Sequence, residues 1–130
     1  MEPRATERAF EVTEESDRFW CAAEVRRFAR DVGFGDRAQW ELAIVAAELV
    51  SNAVRHAAAG TLTLRGVSGP RGGMEIVVAD RGGTGWRVWA GRRRGLGLGL
   101  RTVRCLSDDV SIERGPDGGT VVTAARYLSP

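Results

Sequence analysis

The stretch that most constrains this fold runs over residues 36–58. There Leu42, Ala46, Leu49 and Ala53 fall on one line at about 100° per residue, the period of an α-helix. A helix with such a stripe must bury it against a second layer. Glu41, Glu48, Asn52 and Arg55 cluster on the opposite side, and Gly60 is placed to end the helix.

The flanking sequence supplies the other layer. Upstream, residues 8–12 read as a short edge strand. Residues 18–32 read as an amphipathic helix through Ala22, Val25, Ala29 and Val32, with Ser16 and Asp17 as starters and Gly33 as the stop. Downstream, residues 61–67 alternate and are β-branched, as a strand requires, and residues 68–73 form a hairpin-type loop around Pro70. Residues 74–79, with Ile76, Val77 and Val78, read as a buried central strand. The glycine- and arginine-rich residues 80–94 have no periodicity and read as a loop. Residues 95–106 are a glycine-rich entry into a helix. Residues 110–114 and 120–127 are two last strands around the turn 115–119. This order predicts an α+β fold: a two-layer α/β sandwich with a mixed, mainly antiparallel sheet and helices on one face. Residues 1–130 make one domain.

Composition narrows the function. The 19 basic and 17 acidic side chains leave a formal charge of +2, too balanced to argue for nucleic-acid binding. No apolar run reaches the ~18–20 residues needed to cross a bilayer, and the charged first eight residues lack the apolar stretch of a secretory signal. A cytoplasmic location with no membrane partner is expected. Cys21 and Cys105 each fall in a predicted helix among apolar neighbours and read as buried free thiols.

Three segments carry chemistry. Glu48 and Asn52 stand one helical turn apart, so both side chains project to one spot. A carboxylate beside a carboxamide there can hold water and a magnesium ion, which keeps most of its shell as phosphate and water oxygens; a solvated polar face is the other reading. Asp80 ends the buried strand and is followed by Gly82, Gly83 and Gly85. A carboxylate in that place accepts a hydrogen bond from an exocyclic amine such as that of adenine, and glycines let a flat base approach; an ordinary turn junction is the alternative. Gly95, Leu96, Gly97, Leu98, Gly99 and Leu100 lead into a helix, which suits a phosphate cradle of bare amides at a helix N-terminus. A small-residue packing surface is the competing reading. No Gly-Lys-Ser/Thr follows, so this is not a P-loop.

Taken in order, these segments resemble the GHKL ATPases (gyrase, Hsp90, histidine kinase, MutL). The shared pattern is an E-x-x-x-N helix, a strand ending in D-x-G, a lid, a glycine-rich helix start, and Gly119-Thr120 on a late strand. The resemblance covers residues 36–127 and implies a Bergerat-type sandwich that binds ATP and magnesium. It implies Glu48 as base or water-positioning residue and Asn52 as the magnesium residue. It implies Asp80 on the adenine amine with Gly82 and Gly85 beside the base. Gly95, Leu96, Gly97, Leu98 and Gly99 would be at the phosphates, and Thr120 at the adenine. Residues 82–94 read as a mobile lid. The usual D-x-G-x-G is altered: Thr84 occupies the fifth position and Gly85 follows.

The small chain is similar to the bacterial serine/threonine switch-kinase and anti-sigma-factor branch, RsbT and RsbW. The carriers are residues 46–49 and 52–57. Gly95, Gly97 and Gly99 lean toward the RsbT type, and residues 123–128 toward RsbW. The expectation is an RsbT-like protein serine/threonine kinase acting on a STAS-domain regulatory partner in a sigma-factor control pathway. The alternatives are an RsbW-like anti-sigma factor, or a nucleotide-gated binding module without catalysis. A homodimer is compatible with either. His56, near a helix end and with no second histidine, reads as structural. Arg92, Arg93 and Arg94 either face the triphosphate or form a solvated loop, and Trp86 and Trp89 either cap nucleotide, dock a partner or pack.

Overall fold

A computed structural model describes residues 7–82, 97–115 and 118–128. In chain order the elements are β1 (Glu7–Val12), α1 (Asp17–Val32), α2 (Asp36–Ala57), β2 (Gly60–Val67), β3 (Gly73–Asp80), α3 (Gly97–Cys105), β4 (Asp109–Arg114) and β5 (Thr120–Tyr127). The strands form one sheet in the order β1-β2-β3-β5-β4. Each of its four pairings is antiparallel, so the sheet has no parallel pair among the described residues. The expected α+β sandwich is present, with the sheet antiparallel throughout rather than mixed.

Alternation decides which face of the sheet is covered. Leu62, Leu64, Ile76, Val78, Val122 and Ala124 are buried, and the register sets them side by side, Leu62 against Val78 and Ile76 against Ala124. Their neighbours Thr61, Thr63, Glu75, Val77 and Thr123 alternate with them and stay partly accessible. Burying one face and wetting the other is what an antiparallel sheet permits. Against the buried face lie Leu42, Val45, Ala46, Leu49, Val50 and Ala53 of α2, joined by Cys21, Val25 and Ala29 of α1 and Val103 of α3.

The ends of the helices show how local sequence sets the path. The Asp17 carboxylate accepts the Thr13 and Glu14 amides at 2.9 and 3.0 Å and the Trp20 indole N–H at 2.9 Å, fixing the turn into α1. Those donors, the Thr13 amide first, hold its carboxyl below the usual range. Gly33 ends α1 at φ 124°, as expected. Gly60 does not end α2, contrary to the sequence reading. The left-handed residue is Ala58, at φ 70°. Gly60 is instead the first residue of β2, where a Cβ would stand 2.8 Å from the Ala79 carbonyl oxygen.

Two core expectations need correction. Ala22 and Val32 are only half-buried, and Cys21 takes the inward place one residue earlier. Burial pushes its thiol up to about 12, with Asp17 and Glu24 adding to the shift. Cys105 is exposed rather than buried. It follows the buried Val103 by two positions, a turn of about 200° around a helix, and so faces away from the core.

Arg126 of β5 ties the layers together. Its guanidinium donates to Glu41 of α2 at 2.8 Å and to the Leu106 carbonyl at 2.9 Å, and Arg37 donates to the same Glu41 carboxylate at 3.1 Å. The hydrogen bond from Arg126, then that from Arg37, holds the Glu41 carboxyl below its ordinary range. A depressed carboxylate stabilises the fold above its unfolded pKa, and that contribution is lost as pH falls through the folded value. Glu41→Gln is therefore expected to be less stable than the parent near neutral pH and to lose less on acidification between about pH 5 and pH 3. Urea titrations across that range check it.

Candidate functional site

Three strand ends meet at one end of the sheet. β2 begins at Gly60 opposite Asp80, the last residue of β3, and β5 begins at Thr120 on the other side of Asp80. The Asp80 Oδ1 accepts the amide N–H of Thr120 at 3.0 Å and that of Gly82 at 3.1 Å. Two backbone donors on one oxygen fix the carboxylate plane. The other oxygen, Oδ2, keeps its acceptor capacity with no hydrogen bond among the described residues.

Glycine permits this closeness. A Cβ on Gly119 would lie 2.3 Å from the Asp80 carbonyl oxygen, and 2.7 Å from both its Oδ1 and the Gly82 amide nitrogen. Gly119 is thus the residue that lets β5 close on Asp80. The sequence reading paired it with Thr120 and gave it no role; the signal was the Gly-Gly step before a strand. Gly82 adopts φ 122°, a region other residues avoid, and a Cβ there would meet nothing within 4 Å. Thr120 is 1% exposed, and its Oγ1 has no hydrogen-bond partner among the described residues. A buried hydroxyl without a partner is costly unless a ligand completes it.

Helix α2 brings its own groups to the same end. A Cβ on Gly60 would sit 3.5 Å from both the Ala53 Cβ and the Asp80 Cα, so the turn of α2 that holds Asn52 lies over the sheet at Asp80. Asn52 is 1% exposed, which removes the solvated-face reading. Its Oδ1 accepts from Arg55 Nη2 at 2.7 Å, and its Nδ2 is buried without an acceptor among the described residues. Glu48, one turn earlier, is half-buried with no hydrogen bond or ion pair among the described residues.

A cluster that sequence reasoning missed braces this turn. The Ser51 hydroxyl donates to Glu15, which also faces Arg55 Nε at 4.0 Å and Arg18 at 3.4 Å. The Ser51 hydrogen bond is the main cause holding the Glu15 carboxyl below its ordinary range, and Arg55 and Arg18 act in the same direction. Glu15 lies 36 residues from Ser51 and no local pattern joins them.

The third segment is described only in part. Gly97 and Gly99 belong to the first turn of α3, where amide N–H groups lack intrahelical acceptors. α3 packs on α2 through a core that includes Val103 and Leu100. Gly85, Gly95 and Leu96 lie outside the described residues, as do the side chain of Leu98, Thr84, Trp86, Trp89, Arg92, Arg93, Arg94 and the predicted lid beyond Gly82.

The donor set fits an adenine nucleotide. Asp80 Oδ2 is an acceptor for an exocyclic amine, and the unpartnered Thr120 hydroxyl can complete a ring nitrogen. It also fits one magnesium ion bound chiefly through phosphates and water. The Asn52 amide oxygen has a second lone pair beyond the one Arg55 uses. No cluster of three His, Cys, Asp or Glu able to hold a metal by itself occurs among the described residues, His56 included. A hollow of about 370 Å³, lined by Arg8, Phe28, Asp31, Val67, Ser68 and Leu128 among others, lies by the β2–β3 hairpin at the opposite end of the sheet and contains none of these residues.

Known proteins share this fold. The family model described as histidine kinase-like ATPase domain matches residues 20–126. The crystal structure of the RsbU and RsbW domains of Rv1364c from Mycobacterium tuberculosis is similar at a TM-score of 0.65 and 21% identity. That match covers 95% of this chain and 33% of the other, so the chain spans about a third of that protein's length. The SiaB–SiaC complex from Pseudomonas aeruginosa is similar at a TM-score of 0.59 and 14% identity, over 92% of this chain and 89% of the matched one. At these identities the likeness is one of fold. No curated protein matches the chain.

Gly119→Ala is expected to destabilise the protein by about 1–3 kcal/mol, because the added methyl must push β5 off Asp80. Its melting and urea midpoints report this directly.

Proposed function

The chain belongs to the histidine kinase-like ATPase family, and we propose that it binds ATP with magnesium and phosphorylates a serine or threonine of a small STAS-type regulatory protein, as an RsbT-like switch kinase does. The observation that carries the nucleotide reading is the Asp80 carboxylate, held at Oδ1 by the Thr120 and Gly82 amides and, among the described residues, without a donor at Oδ2. The similar structures include an RsbW domain and a two-protein complex, which supports a role in partner switching. A cytoplasmic setting follows from the need for ATP. No helix among the described residues is long and apolar enough to cross a membrane.

In this reading Asp80 Oδ2 accepts the adenine amine, Thr120 completes the base, and Gly82 leaves room for the ring. Gly85 extends that glycine run. Gly95, Leu96, Gly97, Leu98 and Gly99 offer backbone amides to the phosphates at the start of α3. Asn52 contributes its amide oxygen to magnesium, which neutralises phosphate charge when bound. Glu48 takes the proton from the attacking hydroxyl. That oxygen bonds to the γ-phosphorus as the bond to the ADP oxygen breaks. Positioning and charge stabilisation carry most of such a transfer, so the base contributes about 10²–10⁴-fold.

Asp80→Asn keeps an acceptor for the two amides but puts a donor where the adenine amine must approach. Calorimetry is expected to show ATP affinity lowered about tenfold or more, from ~1–3 kcal/mol of lost hydrogen bonding, with little change in melting. Equal affinity overturns the adenine assignment. Glu48→Gln is expected to hold ATP normally while phosphate transfer to a STAS-domain partner falls by about 10²–10⁴-fold; radiolabel from γ-labelled ATP measures it. A wild-type protein that holds a sigma factor and transfers no phosphate replaces the kinase with the RsbW-like anti-sigma reading.

A further inference from the structure

The outer face of the α1–α2 hairpin is apolar where a solvent-facing surface should be polar. Phe19 is 66% exposed, Trp40 55% and Ile44 45%. They are grouped: Phe19, Ala22, Ala23, Arg26 and Trp40 line a hollow of about 270 Å³ between the two helices. On α1 the residues Phe19, Ala23, Arg26 and Arg30 follow the spacing i, i+4, i+7, i+11, one stripe along the helix. The stripe is apolar at its beginning and basic at its end.

Among the described residues the basic end has no paired counter-charge. The Arg26 guanidinium stacks 3.9 Å over the Trp40 ring, and its Nε is buried without an acceptor among the described residues. Arg26 and Arg30 form no ion pair with a carboxylate among those residues. A guanidinium held over an aromatic ring, with no ion pair among the described residues, is a place for a carboxylate from outside.

The groove also leads to the proposed active site. α1 and α2 are antiparallel: Glu15, just before α1, meets Ser51 near the end of α2, while Arg26 meets Trp40 near its start. Trp40, Ile44, Glu48 and Asn52 are spaced four residues apart, so the exposed apolar line runs along α2 to the residue proposed as base.

We propose that this groove binds an amphipathic helix of the protein that accepts the phosphate. Its apolar side chains lie on Phe19, Trp40 and Ile44, and its carboxylates face Arg26 and Arg30. The proposal rests on the reading that the acceptor is a protein. A helix suits a cleft between two antiparallel helices, where its ridge enters their groove. A second copy of this chain suits it poorly. A two-fold contact must be self-complementary, and the α1 stripe offers arginines with no carboxylate to meet them.

The test uses the full chain and a fluorescently labelled synthetic helix with leucines along one face and glutamates at one end. A scrambled peptide of the same composition and a version with lysines for glutamates serve as comparisons. Anisotropy is expected to show the ordered peptide bound at least about tenfold more tightly than the scrambled one. Trp40→Glu is expected to lose that advantage. Arg26→Glu is expected to bind several-fold more weakly and to regain affinity for the lysine version. Trp40 is exposed and Arg26 half-buried, and circular dichroism confirms that the variants fold. Equal binding of ordered and scrambled peptides, or an undiminished Trp40→Glu, overturns the proposal. So does a dimer in sedimentation that Trp40→Glu dissociates, which assigns the face to a second copy. Capture by phosphatidylserine vesicles that Trp40→Glu abolishes, without peptide binding, overturns it in favour of a membrane. ATP is titrated into the same samples: peptide binding without ATP binding overturns the nucleotide reading and leaves the groove standing.

Discussion

Two of the contacts in which backbone touches backbone without room for a side chain meet at the site end of the sheet. Gly60 lies against the Ala79 carbonyl, and Gly119 lies against Asp80 and Gly82. Because Asp80 sits between them, β2 and β5 can close on β3 only with glycine on both sides. The closure by β5 adds the Thr120 amide to the carboxylate oxygen that already accepts the Gly82 amide two residues along the chain. Sheet assembly and the orientation of the candidate ligand-binding acid are therefore the same event. In the folded sheet the Thr120 and Gly82 amides hold the Asp80 carboxylate in one orientation.

The two faces of the sheet do different work. The covered face carries the hydrophobic stabilisation through Leu62, Leu64, Ile76, Val78 and Val122 against α2. The open face is marked by cross-strand charges: Arg65 pairs with Glu7 and with Glu75, and Arg81 with Glu11. Exposed pairs of this kind contribute little, about 0–1 kcal/mol, and their effect is to keep that face wet and its register unambiguous. The helical hairpin has the same division, with one side in the core. Its other side departs from the pattern by exposing Trp40, Ile44 and Phe19.

Much of this architecture was legible because it is periodic. The stripe through Leu42, Ala46, Leu49 and Ala53 located α2, the alternation around Leu62 located β2, and the apolar run Ile76, Val77 and Val78 located β3. What failed was of three physical kinds. Gly60 was taken as a helix stop because glycine favours left-handed backbone, whereas here glycine is needed for proximity and Ala58 bears the left-handed turn. Cys105 was assigned inward by its apolar neighbours and Ala22 by its helical spacing, but a shift of one or two residues rotates a helical side chain by about 100–200°. The Glu15, Ser51, Arg55 and Asn52 cluster joins two distant segments, and nothing local encodes such a meeting. The burial of Asn52 was hidden for the same reason: its polarity suggested solvent, and only the tertiary packing shows otherwise.

The two cysteines, both unpaired, differ in a way that has a practical consequence. A thiol reacts as its thiolate. Cys21 is enclosed, and its pKa is pushed up to about 12, so at neutral pH it is almost entirely protonated as well as shielded. Cys105 is open to solvent at the end of α3, the helix that begins with the glycines proposed to meet phosphate. A maleimide dye or nitroxide therefore finds one address on the native chain without any mutation. The native chain thus carries its own attachment point for a reporter, at the far end of the helix whose start is proposed to meet phosphate.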